Sequence, residues 1–264
     1  MDCIIEQILF RFYINRGAGD VQAIIMAGGK GTRLSTVIKD KPKCFMEFEG
    51  YKLLDYQLKM YQKYGIREVV IVTGYQHHVI SEYLKNTSNI RLVFNPFYEI
   101  SNVLTSFWFG MRYLTDDFIY SHADTIFDIP IMESILNSPG EVILPVDVKA
   151  CGEEEMKIQL DSSGKVALIN KTMNPNNALG EFIGVCKISK KILPLLMDIT
   201  NKQIENKNFS AFFEVALQEL IENDRELVEL VDISNFYWNE IDFPEDYRLA
   251  KSNFRSSNLL KLFS

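Results

Sequence analysis

Gly28, Gly29 and Gly31, followed by Thr32 and Arg33 and then by Lys43, are the residues whose types and spacing point most directly to chemistry. A segment nearly free of side chains lets successive backbone N–H groups turn inward around an anion. Ala27 opens this segment, and two cations, Arg33 and Lys43, stand within reach of the same anion. The apolar run 23–26 just before it reads as a buried strand, so the loop leaves a strand end. A phosphate fits this arrangement. The loop is neither of the common phosphate binders: no Gly-x-x-x-x-Gly-Lys-Ser/Thr starts at Gly28 or Gly29. A dinucleotide fingerprint started at Gly29 meets Leu34 where its third glycine belongs.

The elements that must position this loop follow from hydrophobic periodicity. After Lys43 the sequence predicts a helix over 53–64, with apolar Leu54, Leu58 and Tyr61 and a stop at Gly65. A strand over 68–73, a helix over 76–85 and a strand over 91–95 come next. Ser101 is expected to cap a helix over 102–114, and a strand over 117–123 follows. Continuous apolar strands alternating with helices define an α/β class: a doubly wound, mostly parallel, Rossmann-like sheet with helices on both faces. Ligands of such sheets bind beyond the C-terminal strand ends. Asp124 emerges there, on the same edge as the glycine loop, a carboxylate suited to the Mg²⁺ that accompanies a nucleoside triphosphate. It could instead cap the next helix, although Asp128, just ahead of Pro130, is better placed to do so. Ser121, His122 and Asp124 do not make a hydrolase triad, because strand neighbours point to opposite faces. His122 therefore reads as structural, and His77 and His78 as the opening of a helix.

The second half changes character near Glu141. A strand there precedes a hairpin over 156–160 and 165–169, turned by Asp161-Ser162-Ser163-Gly164, which predicts a small antiparallel insertion beside the main sheet. The polar stretch 170–178 reads as a lid-type loop. Helices are expected over 190–206 and, capped by Ser210, over 211–222. The second leaves Glu214 among apolar neighbours, where a carboxylate wants a metal, a charged acceptor or a Lys/Arg partner. Strands over 227–233 and 237–242 and a helix over 244–250 complete the chain.

Composition sets the outer limits. The 264 residues are 47% hydrophobic, enough for one large core, and the net charge of −7 argues against nucleic acid as a partner. Cys3, Cys44, Cys151 and Cys186 lie far apart without a Cys-x-x-Cys pair, so a reducing cytoplasm fits best. Residues 1–20 place Ile4, Ile5, Ile8, Leu9 and Phe12 at helical spacing, which reads as an amphipathic extension; its charges interrupt any membrane span, and the basic start and cleavage site of a secretory signal are not expected here. One domain is expected over 21–255, with a tail over 256–264.

Read together with Lys41-Pro42-Lys43, the loop Gly28-Gly29-Lys30-Gly31-Thr32-Arg33-Leu34 resembles the signature of the nucleotidyltransferase family that makes activated sugars and alcohols. The resemblance spans roughly residues 22 to 248 and is closest to the small cytidylyltransferases acting on phosphocholine, 2-aminoethylphosphonate and similar compounds. Residues 39–44, Asn95-Pro96-Phe97-Tyr98 with Ser101-Asn102, and Glu240-Ile241-Asp242 carry that finer match. It implies a GT-A-like nucleotidyltransferase fold, Mg²⁺, and CTP as co-substrate. It also implies nucleotide contacts from Ala27, Gly28, Gly29, Gly31, Thr32, Arg33, Lys43, Tyr75, Asn102 and Ser106, with Arg33, Lys43 and Asp124 catalytic. Mg²⁺ would sit on Asp124 and Asp242, although Asp242 could instead cap the helix at Pro244. Lys171, Glu181 in a Gly-Glu-x-x-Gly turn, Glu214 and Trp238 would face the acceptor. Phe107, Trp108, Tyr237 and Trp238 could build a cage for a quaternary ammonium group, but helical spacing makes Phe107 a core residue by default. The partners are then a nucleoside triphosphate and a small phosphate or phosphonate, with no nucleic acid or membrane, and the chain is a monomer or homodimer. Two alternatives stand beside this: a sugar 1-phosphate nucleotidyltransferase using UTP or dTTP, and an inactive nucleotide sensor.

Overall fold

In the computed structural model, residues 21–254 and 258–263 are described, so the amphipathic reading of 1–20 lies outside the described residues. Strands β1 (Gln22–Ala27), β2 (Val69–Thr73), β3 (Ile90–Phe94) and β4 (Phe118–His122) run parallel in the order β3-β2-β1-β4. β1 is buried along its whole length, as a central strand of a sheet covered on both faces must be. Its alternate residues serve two cores. Ala23 and Ile25 pack with helix α1 (Leu53–Lys63), whereas Ile24 and Met26 pack with Leu104, Phe107 and Met111. The connecting helices are α2 (His77–Leu84) and α3 (Val103–Met111).

A short strand, β5 (Thr125–Phe127), and helix α4 (Ile129–Asn137) follow Asp124. The rest of the sheet is mixed. It contains β6 (Val142–Asp147), the hairpin β7 (Lys157–Leu160) and β8 (Val166–Asn170), and the successive strands β9 (Gly180–Phe182) and β10 (Val185–Ile188). β10 lies antiparallel between β4 and β6, while β9 leaves β10 to pair with β6 and β7. The expected insertion beside the sheet is therefore hydrogen-bonded into it, and the order reads β8-β7-β9-β6-β10-β4-β1-β2-β3. The bend falls at Gly184, whose φ of +73° and closeness to the His122 ring leave no room for a side chain: a Cβ there would lie 2.7 Å from His122 Nδ1.

Helices α5 (Leu193–Glu205) and α6 (Glu214–Asn223) cover the face that carries Phe107 and Tyr120. β11 (Val228–Asp232) then pairs in parallel with β6. β12 (Trp238–Glu240) pairs with β5 in a separate two-stranded ribbon that sequence periodicity does not reveal, because each strand has only three residues. Helix α7 (Pro244–Phe254) closes the domain, and Leu259 and Phe263 pack beyond it, the latter stacked on Tyr51 at 3.7 Å. No described helix is long and apolar enough to cross a membrane.

Two caps differ from expectation. Asn102, not Ser101, caps α3, its side-chain oxygen accepting from the Val103 amide at 2.8 Å, and Ser101 Oγ instead donates to the Phe97 carbonyl. α6 starts at Glu214 without a side-chain cap, because the stretch before it is held by turns from Asn208 and Phe212. Asp128 does occupy the N-cap position of α4, yet its side chain makes no cap bond.

Candidate active site

β1, β2 and β4 end at one edge of the sheet, and each end contributes to the same cleft. Beyond β1 the chain turns at Gly31, with φ +63°, where a Cβ would lie 2.9 Å from Ile38 Cδ1 and 3.3 Å from Lys43 Cβ. Glycine is thus what lets the loop fold back onto the segment that carries Lys43. Among the described residues no backbone carbonyl accepts from the amides of Gly29, Lys30 or Gly31, and unpaired amides of this kind suit an anion. The Tyr75 amide, just past β2, donates to the Gly28 carbonyl at 3.1 Å, and the Lys30 ammonium lies over the Tyr75 ring at 5.6 Å. Ser106 Oγ forms the floor under Gly28, where a Cβ would lie 3.7 Å from it, and accepts from Asn95 Nδ2 at 3.0 Å. Ala27, Gly29, Lys43, Ala123 and Asp124 line the small cleft between these ends.

At the centre, Lys43 Nζ donates to Asp124 Oδ2 and Asp242 Oδ1, each at 2.5 Å. Arg33 reaches Asp242 Oδ2 at 3.7 Å and stacks over the Phe243 ring at 5.0 Å. Burial alone would lower the Lys43 ammonium's pKa, but Asp124 and Asp242 reverse that and hold it well above the usual lysine range. The same balance applies to Asp124: burial pushes its carboxyl up, while Lys43 and His122 pull it below its ordinary value. Asp124 Oδ1 is buried and, among the described residues, meets no hydrogen-bond donor. A carboxylate oxygen in that condition wants a cation. With two aspartates as hard oxygen ligands the donor set fits Mg²⁺, which takes one or two carboxylates and completes its shell from water and phosphate oxygens. Asp242 does not cap α7; the Asp246 carboxylate accepts from the Asp242 and Phe243 amides, which fixes Asp242 in place.

His122, read from sequence as structural, joins this cluster. Its ring and the carboxylates of Asp124 and Glu240 offer ligand atoms within 4.8 Å of one another. Burial would lower the imidazole pKa, but Glu240, Glu214 and Asp124 push it up to about 9. Ser121, on the opposite face, bonds Tyr61 Oη at 2.7 Å, which is why these neighbours form no triad.

The residues expected to face the acceptor are spread more widely. Glu214 is buried with Oε2 unpartnered and its carboxyl raised by burial. Lys171 lies over the Phe212 ring at 5.3 Å. Glu181 pairs with Lys149 at 2.7 Å, Lys149 reaches Asp147 at 3.3 Å, and Trp238 Nε1 donates to Asp147 Oδ2 at 3.1 Å. The four aromatics assemble no cage, and Phe107 takes the core position that its helical spacing indicates. Phe107 is a core residue against Phe118, Tyr120 and Phe213, Trp108 bonds Asn201 on α5, and Tyr237 packs into the opposite core from Phe107. Helical and strand spacing sends these rings to different faces. Asn102 likewise spends its side chain on capping α3. Asp147 and Lys149 escape sequence reasoning; the only available signal is that Asp147 ends β6 as Asp124 follows β4.

A glycine loop, a lysine and two aspartates at the C-terminal edge of a mostly parallel sheet define a nucleotidyltransferase-type domain. The chain belongs to the family described as the MobA-like NTP transferase domain, whose model matches residues 23–196. Over 250 residues it is 27% identical to a CTP:phosphoglutamine cytidylyltransferase of Campylobacter jejuni, covering 86% of this chain and 97% of that protein. A D-glycero-alpha-D-manno-heptose 1-phosphate guanylyltransferase of the same organism is 28% identical over 228 residues, covering 86% and 97%. In fold it is similar to the inositol-1-phosphate CTP transferase from T. maritima, with a TM-score of 0.73, 24% identity and coverage of 89% and 98%.

Proposed function

We propose that this chain transfers a cytidylyl group from CTP to the phosphate or phosphonate of a small alcohol, of the phosphocholine or 2-aminoethylphosphonate type, and releases pyrophosphate. The observation that carries this reading is Lys43 Nζ held between Asp124 and Asp242 at the mouth of the glycine loop. The acceptor oxygen is already anionic, so attack on the α-phosphorus needs alignment and charge neutralisation more than a general base. A bond forms between the acceptor oxygen and the α-phosphorus, the bond from the α-phosphorus to the bridging oxygen of the β-phosphate breaks, and no net proton moves. Backbone amides of 29–31 and Arg33 hold the β- and γ-phosphates and thus the leaving group. Lys43 serves the α-phosphate and the incoming oxygen. Asp124 and Asp242 would hold Mg²⁺, which when bound neutralises phosphate charge. Ser106 and Tyr75 shape the base side of the cleft. The acceptor side carries groups of both signs, Glu181 paired with Lys149 and Glu240 beside His122, with Glu214 buried close by.

Pyrophosphate release tests this with CTP, UTP, dTTP and GTP against phosphocholine, phosphoethanolamine, 2-aminoethylphosphonate, glycerol 3-phosphate and glucose 1-phosphate. The expected result is release with CTP and at least one alcohol phosphate or phosphonate. Release only with glucose 1-phosphate, or only with another nucleotide, overturns it, and tight CTP binding without release under any pairing makes the chain a sensor.

A further inference from the structure

Lys157 is fully buried, yet it takes no part in the chemistry above. Its Nζ donates to the carbonyls of Gly152, Glu153 and Glu155 at 3.1, 3.0 and 3.1 Å. An ammonium has three N–H donors, and all three are used on one short loop. Burying a charge is costly unless its donors are satisfied, so Lys157 and the carbonyls of 152–155 hold or fail together. The Gly152 amide adds a bond to Glu155 Oε2 at 2.9 Å.

The strand register gives this strap a direction. Asp147 faces Glu181 across β6 and β9, and Glu181 faces Lys157 across β9 and β7. Residues directly opposite share a sheet face, so the three side chains form one row. Lys157 would be the natural partner of Glu181 but turns to the loop, and Lys149, from the start of that loop, pairs with Glu181 instead. Lys149 also reaches Asp147 and lies over the Trp238 ring at 5.1 Å. Its side chain stays 39% exposed. Trp238 is two residues before Glu240, on the ribbon that ends beside Asp124.

We infer that residues 149–156 are a fixed wall of the acceptor subsite, in which Lys149 contacts the acceptor and Lys157 positions that wall from behind. The inference rests on the cytidylyl-transfer reading. Lys149 offers its N–H donors to oxygens of the acceptor, those of its phosphate or phosphonate included.

The test uses steady-state kinetics on the full chain, with CTP and whichever acceptor of the panel above has the highest kcat/KM. K149A is expected to raise the acceptor KM at least fivefold while the CTP KM stays within twofold. K157M is expected to shift the same constant in the same direction and to speed hydrogen exchange of the 150–155 amides at least tenfold. The double variant is expected to be no worse than K149A, because both act through one wall. An unchanged acceptor KM in K149A, or a CTP KM that moves equally, overturns the inference and leaves cytidylyl transfer standing. If K157M does not fold, the K149A result alone decides. Absence of pyrophosphate release by the unaltered chain with every acceptor defeats cytidylyl transfer first, and this inference with it.

Discussion

The halves of the cleft proposed for the nucleotide and for the acceptor are built in opposite ways. The side proposed for the nucleotide is centred on one stretch of chain, 27–43, which offers backbone amides and sets Lys43 between Asp124 and Asp242. The side proposed for the acceptor draws Asp147, Lys149, Glu181, Glu214, Trp238 and Glu240 from four separate segments and relies on side chains. A polyphosphate is recognised by geometry that a backbone can supply, so that half has little freedom to vary. An acceptor is recognised by its particular substituents, which only side chains can match.

The largest expected effect separates the halves most sharply. Lys43→Ala and Asp124→Ala should each lower kcat on the order of a thousandfold or more, worth about 4 kcal/mol of barrier, with circular dichroism unchanged. Near-normal kcat in either variant places the chemistry elsewhere. Gly31→Ala forces a Cβ into a left-handed position close to Ile38 and Lys43, so it should weaken CTP binding roughly tenfold or more, measured by calorimetric titration, while sparing acceptor binding. Equal loss for both ligands removes the distinction between halves. Glu181→Gln should show the reverse pattern, changing the acceptor KM several-fold with the CTP KM unmoved, because it releases Lys149 from its partner.

A pH effect is expected at the junction. The His122 pKa stands at about 9 in the folded chain, above its ordinary 6.5. The stabilisation it brings is fully present below pH 6.5 and is lost as pH rises through 9. Its upper limit is roughly 3 kcal/mol. Urea denaturation at both pH values, with chelator present, should show that loss in the unaltered chain and much less of it in His122→Asn; parallel pH profiles contradict the assignment. The smallest effect is structural: Tyr61→Phe should cost about 1 kcal/mol by stranding buried Ser121 Oγ, with both KM values unchanged.

The same division explains what could be read in the sequence. The parallel core strands and their helices were legible because each is a local apolar period, and the turn from Gly28 to Arg33 with Lys43 behind it because glycine and charge spacing are local as well. Asp124 and Asp242 were placed by strand ends and resemblance, and the structure brings them onto one ammonium. The ribbon of β5 and β12, the incorporation of β7 and β8 into the main sheet, and the row Asp147, Glu181, Lys157 depend on pairing register between distant segments. Register leaves no local periodic trace, and for the same reason the aromatic cage could be imagined from Trp108 and Trp238 although the fold sends them apart.

The central claim, metal-dependent transfer of a cytidylyl group, is tested most directly by ³¹P NMR of the full chain with CTP, Mg²⁺ and phosphocholine, or the best acceptor of the panel. Equimolar pyrophosphate and a new diphosphate diester, both suppressed by chelator and absent with Asp124→Ala, are the expected signals. Inorganic phosphate alone, or the same diester formed by Asp124→Ala at the rate of the unaltered chain, contradicts the account.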